Sequence, residues 1–170
     1  MKNLYCHSFF LAALAIFHVS AAPPPSPLPS AANDFLDAHN EARGSVGVQP
    51  LRWSPQLAST TSRLARYQRD KTGCQFANLT AGKYGANQLR ALGAAVTPRM
   101  VVEEWVSQKQ FYNHTDNTCV PNHRCGVYTQ IVWRKTVEVG CAQAKCDKEG
   151  ASLTICFYYP PGNYVGESPY

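Results

Sequence analysis

Apolar residues recur at helical spacing in three separate segments, and this spacing predicts three helices. The first covers residues 31–45, the second runs from Ser54 to about Tyr67, and the third begins at Thr97. The second and third open with a hydroxyl residue followed by proline, the pattern of an N-cap with proline at the first helical position. The buried faces are expected to contain Phe35, Leu36, His39, Ala42, Arg43 and Val46, then Leu57, Ala58, Thr61, Leu64 and Ala65, then Val101, Val102, Trp105 and Val106.

The C-terminal part of the chain has the pattern of strands instead. Residues 137–144 and 153–158 are rich in β-branched and aromatic residues, and the polar residues 147–150 supply a turn between them. Residues 128–133 also have the composition of a strand. Residues 78–93 are rich in Gly and Asn and indicate a long loop with room for one short strand. Helices followed by a β-hairpin predict an α+β fold.

The N-terminal residues are typical of a secretory signal peptide. Lys2 provides a positive start, residues 9–19 are mainly apolar, and the small residues 20–22 suit cleavage. The apolar run is too short to span a bilayer and no later segment approaches that length, so we expect no stable membrane insertion. The expected division is residues 1–22 as signal peptide, 23–30 as a proline-rich extended tether and 31–170 as one domain.

Secretion changes how the cysteines are interpreted. The chain has seven cysteines, and Cys6 lies in the signal peptide, which leaves six. An even number in an oxidising compartment favours three disulfides over free thiols. Zinc is the competing interpretation, but there is no Cys-x-x-Cys pair and the spacings do not match a zinc ribbon. The cysteines alone leave about fifteen connectivities open.

The net charge is mildly basic, at +5. Such an excess suits acidic surfaces, for example cell-wall polymers or anionic lipid headgroups, although solubility is the simpler explanation. The basic residues are scattered and form no dense run, which argues against nucleic acid as a partner.

Two segments carry the most specific information, Gly-Val-Tyr-Thr-Gln-Ile-Val-Trp at residues 126–133 and Cys-Phe-Tyr-Tyr-Pro-Pro-Gly-Asn-Tyr at residues 156–164. They resemble the signature motifs of the CAP superfamily, and more closely those of plant pathogenesis-related class 1 proteins. The resemblance covers residues 33–170. It also rests on the cysteine spacing and on four further motifs: His-Asn-x-x-Arg from His39, Leu-Arg-Trp at 51–53, Trp-Val-Ser at 105–107 and the closing Pro-x-Gly-Asn-x-x-Gly-x-x-Pro-Tyr. Three other segments resemble a pistil-type branch of that plant group: Tyr-Gly-Ala-Asn-Gln at 84–88, Cys-Gly-Val-Tyr at 125–128 and Pro-Pro-Gly-Asn at 160–163.

The resemblance implies a specific fold and cysteine pairing. The fold would be a three-layered α-β-α sandwich in which much of residues 128–133 is helical. The location would be extracellular, in the apoplast or cell wall. The disulfides would join Cys74 to Cys146, Cys119 to Cys125 and Cys141 to Cys156.

The resemblance also implies a cleft site whose residues this chain does not carry. Typical members have two His and two Glu facing a central cleft, where they can hold Zn²⁺ or act as acid and base. Amide, methyl and isopropyl groups supply neither a carboxylate nor an imidazole, so we expect no metal, no cofactor and no catalysis there. The four corresponding positions are Asn78, Ala86, Gln108 and Val127.

Other enzyme signatures are missing from the sequence. It has no Gly-x-Ser-x-Gly elbow, no phosphate-binding loop and no His-Glu-x-x-His. Glu103 and Glu104 are neighbours on a predicted helix and should point apart. His39 lies on the buried side of the first helix, where we expect a hydrogen-bonded structural role. His114 precedes the shortest disulfide loop and His123 lies inside it; both should be solvated, with weak metal binding as the alternative.

Two kinds of candidate site remain in the domain. Asn78 and Asn113 each begin an Asn-x-Thr sequon for N-glycosylation. Phe111 and Tyr112 lie where the family has a sterol-binding loop, and aromatic faces there can cover an apolar ring system. Packing of Phe111 against the core is the alternative.

The C-terminal tail is a third candidate. Residues 160–170 resemble the signalling peptide that some plant members release, and the scissile bond would join Tyr159 to Pro160. Dense proline and glycine disfavour a helix or a central strand, which would leave the tail open to proteases. The alternative is a tail folded down over the sheet.

The sequence therefore predicts a secreted, disulfide-bonded, defence-type protein that acts by binding and is expected to be a monomer. Its expected targets are a sterol or another lipid, or a cell-wall or receptor partner. A precursor of the peptide of residues 160–170 is the second hypothesis. A metal-dependent hydrolase is the third, and the four cleft positions argue against it.

Overall fold

The computed structural model describes residues 28–79, 82–93 and 96–170. The expected signal peptide and residues 23–27 of the expected tether lie outside the described residues, so that division of the chain stays a prediction. In the described part, no helix is long and apolar enough to cross a membrane. The elements are α1 (Ser30–Gly44), β1 (Arg52–Trp53), α2 (Pro55–Thr72), β2 (Gly85–Leu92), α3 (Pro98–Val106), a 3₁₀ helix (Ser107–Phe111), β3 (Tyr112–Asn113), β4 (Thr118–Cys119), α4 (Gly126–Ile131), β5 (Glu138–Cys146) and β6 (Ala151–Tyr159).

All three helices predicted from apolar periodicity are present, and their caps explain two of the starting points. The Ser54 hydroxyl accepts a hydrogen bond from the Leu57 N–H at the start of α2, at 3.4 Å. The Thr97 hydroxyl accepts one from the Met100 N–H at the start of α3, at 3.2 Å. α2 continues past its predicted end and stops only at Gly73, whose left-handed backbone terminates it.

A four-stranded sheet in the order β1–β5–β6–β2 forms the middle of the molecule. β5 and β6 are the predicted hairpin, and Cys141 lies directly opposite Cys156 in it. β1 is a short parallel addition to β5. The sheet is thus built around the hairpin, with one further strand on each side.

β2 corrects the prediction of a long loop over residues 78–93. It pairs antiparallel with β6 along its length, from Gly85 opposite Tyr158 to Leu92 opposite Ala151. The Gly- and Asn-rich composition concealed a strand that long-range pairing stabilises, because strand formation depends on partners more than on local propensity.

Helices cover both faces of the sheet, which gives the three-layered α-β-α sandwich implied by the resemblance. α2 lies over the β5–β6 hairpin on one face, and α1, α3 and α4 lie on the other. Side chains of β5 and β6 alternate between two cores. The first core includes Phe35, Val101, Trp105, Tyr128, Ile131, Val139 and Tyr158, and the second includes Leu57, Ala65, Ala144, Leu153, Ile155 and Phe157.

α2 lies very close to the sheet at Gly140. A Cβ atom at this position would collide with the Leu57 side chain and the Ala58 backbone. One turn later, the Thr61 hydroxyl donates a hydrogen bond to the Gly140 carbonyl at 2.9 Å. The missing side chain at residue 140 therefore lets the helix lie directly on the strand.

The three disulfides join the pairs implied by the resemblance. The sequence separations are 72, 6 and 15 residues. The first bond ties the end of α2 to the end of β5 and closes the longest loop, so it restricts the unfolded chain most. The pairs, in the same order, are Cys74–Cys146, Cys119–Cys125 and Cys141–Cys156.

A buried arginine of α1 holds the end of α4. The α4 segment has the composition of a strand but is helical, as the resemblance implied. Arg43 is fully buried, and its guanidinium donates to the carbonyl oxygens of Gln49, Ile131, Trp133 and Thr136 at 2.7–3.0 Å. Among the described residues no carboxylate pairs with it, and burial lowers its pKa to about 10. Four carbonyl dipoles thus take the place of a counter-ion.

Candidate binding cleft

A cleft of about 380 Å³ opens between β2 and the helices on its side of the sheet. Its walls come from β2, the end of α3 with the following 3₁₀ helix, the start of α4 and the C-terminal tail. This volume lies at the lower end of the range for small-molecule sites. The side chains that determine its chemistry are Ala86, Asn87, Glu104, Gln108, Arg124 and Val127.

Three of the four positions singled out by the resemblance meet in this cleft. Ala86 comes from β2, Gln108 from the 3₁₀ helix and Val127 from α4. Asn78 does not line the cleft; it is exposed in the segment between α2 and β2. Ala86 and Val127 present only alkyl groups, so they offer no donor atom to a cation.

Charged side chains in the cleft are Glu104 and Arg124, both exposed. Glu103 faces Arg99 instead, with 3.9 Å between carboxylate and guanidinium, as expected for neighbours that point apart. Within the described ranges, no group of three or more His, Cys, Asp or Glu residues could hold a metal ion.

Two buried polar atoms in residues that line the cleft lack a hydrogen-bond partner in the described part of the chain. They are the side-chain oxygen Oε1 of Gln108 and the indole nitrogen Nε1 of Trp105. Leaving a buried polar atom without a partner costs free energy. Because both atoms are buried, they add no polar surface to the cleft wall.

A hydrogen-bond network beneath the cleft fixes the tautomer of His39. Its Nδ1 lies 2.7 Å from the Phe35 carbonyl oxygen and its Nε2 lies 2.8 Å from the Tyr158 hydroxyl. Because a carbonyl can only accept, Nδ1 carries the hydrogen and Nε2 accepts from Tyr158. Asn87 donates to the same hydroxyl at 3.1 Å and to the Val127 carbonyl at 2.9 Å. The network thereby links the buried histidine to the cleft wall.

Burial keeps both ionisable groups of this network neutral. His39 is fully buried, and desolvation of the imidazolium lowers its pKa to about 4. Burial also raises the pKa of Tyr158 well above its ordinary value. The predicted structural role of His39 is therefore confirmed.

Phe111 and Tyr112, the candidate lipid-binding residues, have different surroundings. Phe111 is half-buried and stacks on His123, with ring centroids 3.7 Å apart. Tyr112 packs against Tyr128 and Tyr170, at centroid distances of 5.9 and 6.3 Å. Tyr112 thus borders the first core, whereas Phe111 packs on the loop instead of the core.

In the described part of the chain, two histidines are exposed, and each covers an aromatic ring. His123 covers Phe111, and His114 stacks on Tyr170 with centroids 4.2 Å apart. The prediction of solvated histidines is correct for exposure, but it missed these stacking contacts.

The C-terminal tail folds against α4 and the β3–β4 hairpin, and not over the sheet as the alternative prediction had it. Asn163 accepts a hydrogen bond from the Thr129 hydroxyl at 2.7 Å and donates to the Gly126 carbonyl at 2.8 Å. The Arg134 N–H donates to the Pro169 carbonyl at 2.7 Å. The tail is therefore attached to the fold at both ends of α4.

The candidate cleavage bond lies at the surface but is held in place. The Tyr159 side chain is 48% exposed. Its carbonyl accepts from the Val137 N–H at 3.0 Å, and the Pro160 carbonyl accepts from the Thr136 hydroxyl at 2.9 Å. The carbonyls on both sides of the bond are thus hydrogen-bonded.

Both sequon asparagines, Asn78 and Asn113, are exposed. The Asn113 side chain donates to the Asp116 carboxylate at 3.2 Å and accepts from the Thr115 N–H at 3.0 Å. Thr80, which completes the first sequon, lies outside the described residues. Occupancy of both sites stays a prediction.

Sequence reasoning missed the residues that support the cleft from behind. Tyr158 and Asn87 lie in segments that carry the family resemblance, but the sequence assigned neither of them a role, and β2 was not recognised as a full strand. One usable signal was alternation in β6, since Tyr158 must share a face with Cys156 two residues earlier. The contact of Asn163 with α4 depends on tertiary folding and had no such signal.

Comparisons with known sequences agree with this architecture. The cysteine-rich secretory protein family (CAP) matches residues 36–159. The STS14 protein of Solanum tuberosum is 62% identical over 140 residues, which cover 82% of this chain, and the chain spans 65% of the length of that relative. Pathogenesis-related protein 1A of Nicotiana tabacum is 45% identical over 137 residues, covering 81% of this chain and 79% of that protein.

Solved structures support the same fold. Venom allergen-like protein 4 of Schistosoma mansoni has a TM-score of 0.64 and 25% identity, covering 84% of this chain and 95% of that one. The chain therefore belongs to the cysteine-rich secretory protein (CAP) family, within its plant pathogenesis-related class 1 group.

Proposed function

We propose that this chain is a secreted, non-catalytic, defence-related class 1 protein that binds a sterol or another lipid. The observation that carries the proposal is the stack of the half-buried Phe111 on the exposed His123, which lies within the Cys119–Cys125 disulfide loop. Phe111 is packed on an exposed imidazole and not locked in the core. An apolar ring can replace that imidazole and keep the stacking contact while it gains apolar burial.

The absence of catalysis is supported by the side chains of the cleft. Ala86 and Val127 supply no acid, base or metal ligand where the family places them. Gln108 has an amide that does not titrate. His39 beneath the cleft is neutral and already hydrogen-bonded on both ring nitrogens.

Secretion is supported by three disulfides, which persist in oxidising compartments, and by the apolar pattern of residues 9–19. An apoplastic or cell-wall location, a monomeric state and glycosylation at Asn78 and Asn113 belong to the same proposal. A cell-wall or receptor partner is compatible with lipid binding, since it would use a different surface.

Titration of the secreted chain with a fluorescent sterol tests the proposal. Wild type should bind saturably in the micromolar range, and Phe111→Ala should bind about tenfold more weakly, because a ring contact of about 1 kcal/mol and apolar area are lost. The matched control is Phe76→Ala, which removes a ring that is 57% exposed and lies outside the loop. Failure of wild type to bind sterol at micromolar concentration, or equal binding by both variants, would contradict the proposal.

The alternative function is release of residues 160–170 as a signalling peptide. It is favoured by the exposed Tyr159 and by the lack of helix or strand in the tail. The hydrogen-bonded carbonyls of Tyr159 and Pro160 count against cleavage of the folded chain. Mass spectrometry of secreted material distinguishes the two: a fragment that begins at Pro160 supports release, and chains that all end at Tyr170 argue against it.

A further inference from the structure

Exposed charge is divided between the two helical layers of the sandwich. α2 carries four exposed basic residues and one exposed acidic residue, a net charge of +3. α1 and α3 on the opposite layer carry five exposed acidic residues and the partly exposed Arg99, a net charge of −4. The residues are Arg63, Arg66, Arg69, Lys71 and Asp70 on α2, and Asp34, Asp37, Glu41, Glu103 and Glu104 on α1 and α3. The two helical layers therefore differ in the sign of their exposed charge, and the α2 layer is the positive one.

Two arginines near the centre of the exposed face of α2 have only neutral hydrogen-bond partners, although the charge of Arg66 also acts on Asp70. The Arg63 guanidinium donates to the hydroxyls of Ser59 and Thr60 at 3.1 and 3.2 Å, and that of Arg66 donates to Ser62 at 2.7 Å. Neither forms an ion pair with a carboxylate in the described ranges. Their charge is therefore available to an external anion.

Tyr67 places an aromatic ring among these charges. Its side chain is 57% exposed and makes no hydrogen bond or ring contact with the described residues. It follows Arg63 and precedes Lys71 by one helical turn each, a spacing that puts the three side chains on one surface. An exposed ring can stack on a sugar face, while a neighbouring guanidinium binds a carboxylate in bidentate fashion.

We infer that the α2 surface, defined by Arg63, Arg66, Tyr67 and Lys71, binds an acidic polysaccharide built from uronic acid units. The inference rests on the secretion in the proposed function and names its cell-wall partner, but it uses neither the cleft nor Phe111. An anionic bilayer fits less well, because helices that lie on membranes bury a broad apolar face. The exposed side chains one turn from Tyr67 are charged instead, namely Arg63, Asp70 and Lys71.

Retention of the intact secreted chain on immobilised polygalacturonate tests the inference, with phosphatidylserine vesicles in parallel. The test variant is Arg63→Gln/Arg66→Gln, and the matched control is Lys109→Gln/Arg134→Gln, which removes the same charge outside α2. All four side chains are exposed, so folding should be little affected. The α2 variant should bind polygalacturonate about tenfold more weakly, and the control about as tightly as wild type. Binding should be lost near 1 M salt, where the screening length is roughly 3 Å.

Tyr67→Ala separates sugar recognition from simple charge attraction. It leaves the net charge unchanged and should still weaken polygalacturonate binding several-fold, by loss of the ring contact. The inference is overturned if the two double variants lose affinity equally, if Tyr67→Ala binds like wild type, or if the chain binds vesicles and not polygalacturonate. Sterol binding by the Phe111 loop is measured in a separate experiment, so a negative result in either binding assay does not contradict the proposal that the other assay tests.

Discussion

Replacing His39 should remove a specific part of the pH dependence of stability. The folded chain holds this imidazole at a pKa of about 4, compared with 6.5 when unfolded. Below pH 6.5 the unfolded chain therefore takes up a proton that the folded chain refuses. The contribution of His39 to stability is complete above pH 6.5 and is lost as the pH falls towards 4.

The magnitude follows from the difference between the two pKa values. It corresponds to about 3 kcal/mol in total, of which about 2 kcal/mol is lost between pH 7 and pH 5. The exposed carboxyls of Glu41 and Asp70 also have lowered pKa values, through hydrogen bonds from Arg99 and Arg69. They titrate at more acidic pH, so measurements above pH 5 isolate the histidine.

Urea unfolding at pH 7, 6 and 5, with the disulfides intact, provides the assay. Wild type should lose about 2 kcal/mol more than His39→Gln over this range, although the variant is less stable at pH 7. His114→Gln, at an exposed position, serves as the control and should keep the wild-type dependence. Parallel pH dependence in wild type and His39→Gln would refute the reasoning, as would an increase in wild-type stability with acid.

Three further substitutions test the packing. Arg43→Met should lower the free energy of unfolding by about 3 kcal/mol or more, because four buried carbonyls lose their donor. The control Arg134→Met, at an exposed site, should change it by about 0.5 kcal/mol or less. Similar changes for the two variants in urea unfolding would contradict this prediction. Gly140→Ala should lower the free energy of unfolding by about 1–3 kcal/mol, because the added methyl group pushes α2 away from β5. An unchanged melting temperature would contradict the close packing of α2 on β5. Cys74→Ala/Cys146→Ala should lower the free energy of unfolding by about 4 kcal/mol, because the unfolded chain is no longer restricted by a bond between residues 72 positions apart. A loss of less than about 1 kcal/mol would show that this loop is constrained by other means.

Local sequence signals were enough for the helices but not for the whole sheet. α2 and α3 were predictable because Ser54 and Thr97 cap them and each carries a regular apolar stripe. β2 was not, because its Gly85 and Asn87 are poor strand formers and its stability comes from pairing with β6, which is distant in sequence.

The candidate site was predictable only through the resemblance. No spacing in the sequence brings Ala86, Gln108 and Val127 together, since they lie on a strand, a 3₁₀ helix and an α-helix. The resemblance grouped them with Asn78, which the structure places outside the cleft. The contact of the tail with α4 depends on side-chain hydrogen bonds of Asn163 that no periodicity reveals.

The central claim is that the CAP scaffold is kept here while its cleft has side chains for binding and not for metal chemistry. Calorimetric titration of the purified chain with Zn²⁺ at pH 7 tests this most directly. The variant Ala86→Glu/Gln108→Glu/Val127→His, which places three ligating groups in the cleft, is the control for detection. The account predicts no stoichiometric zinc binding by wild type, and one tightly bound zinc per wild-type chain would contradict it.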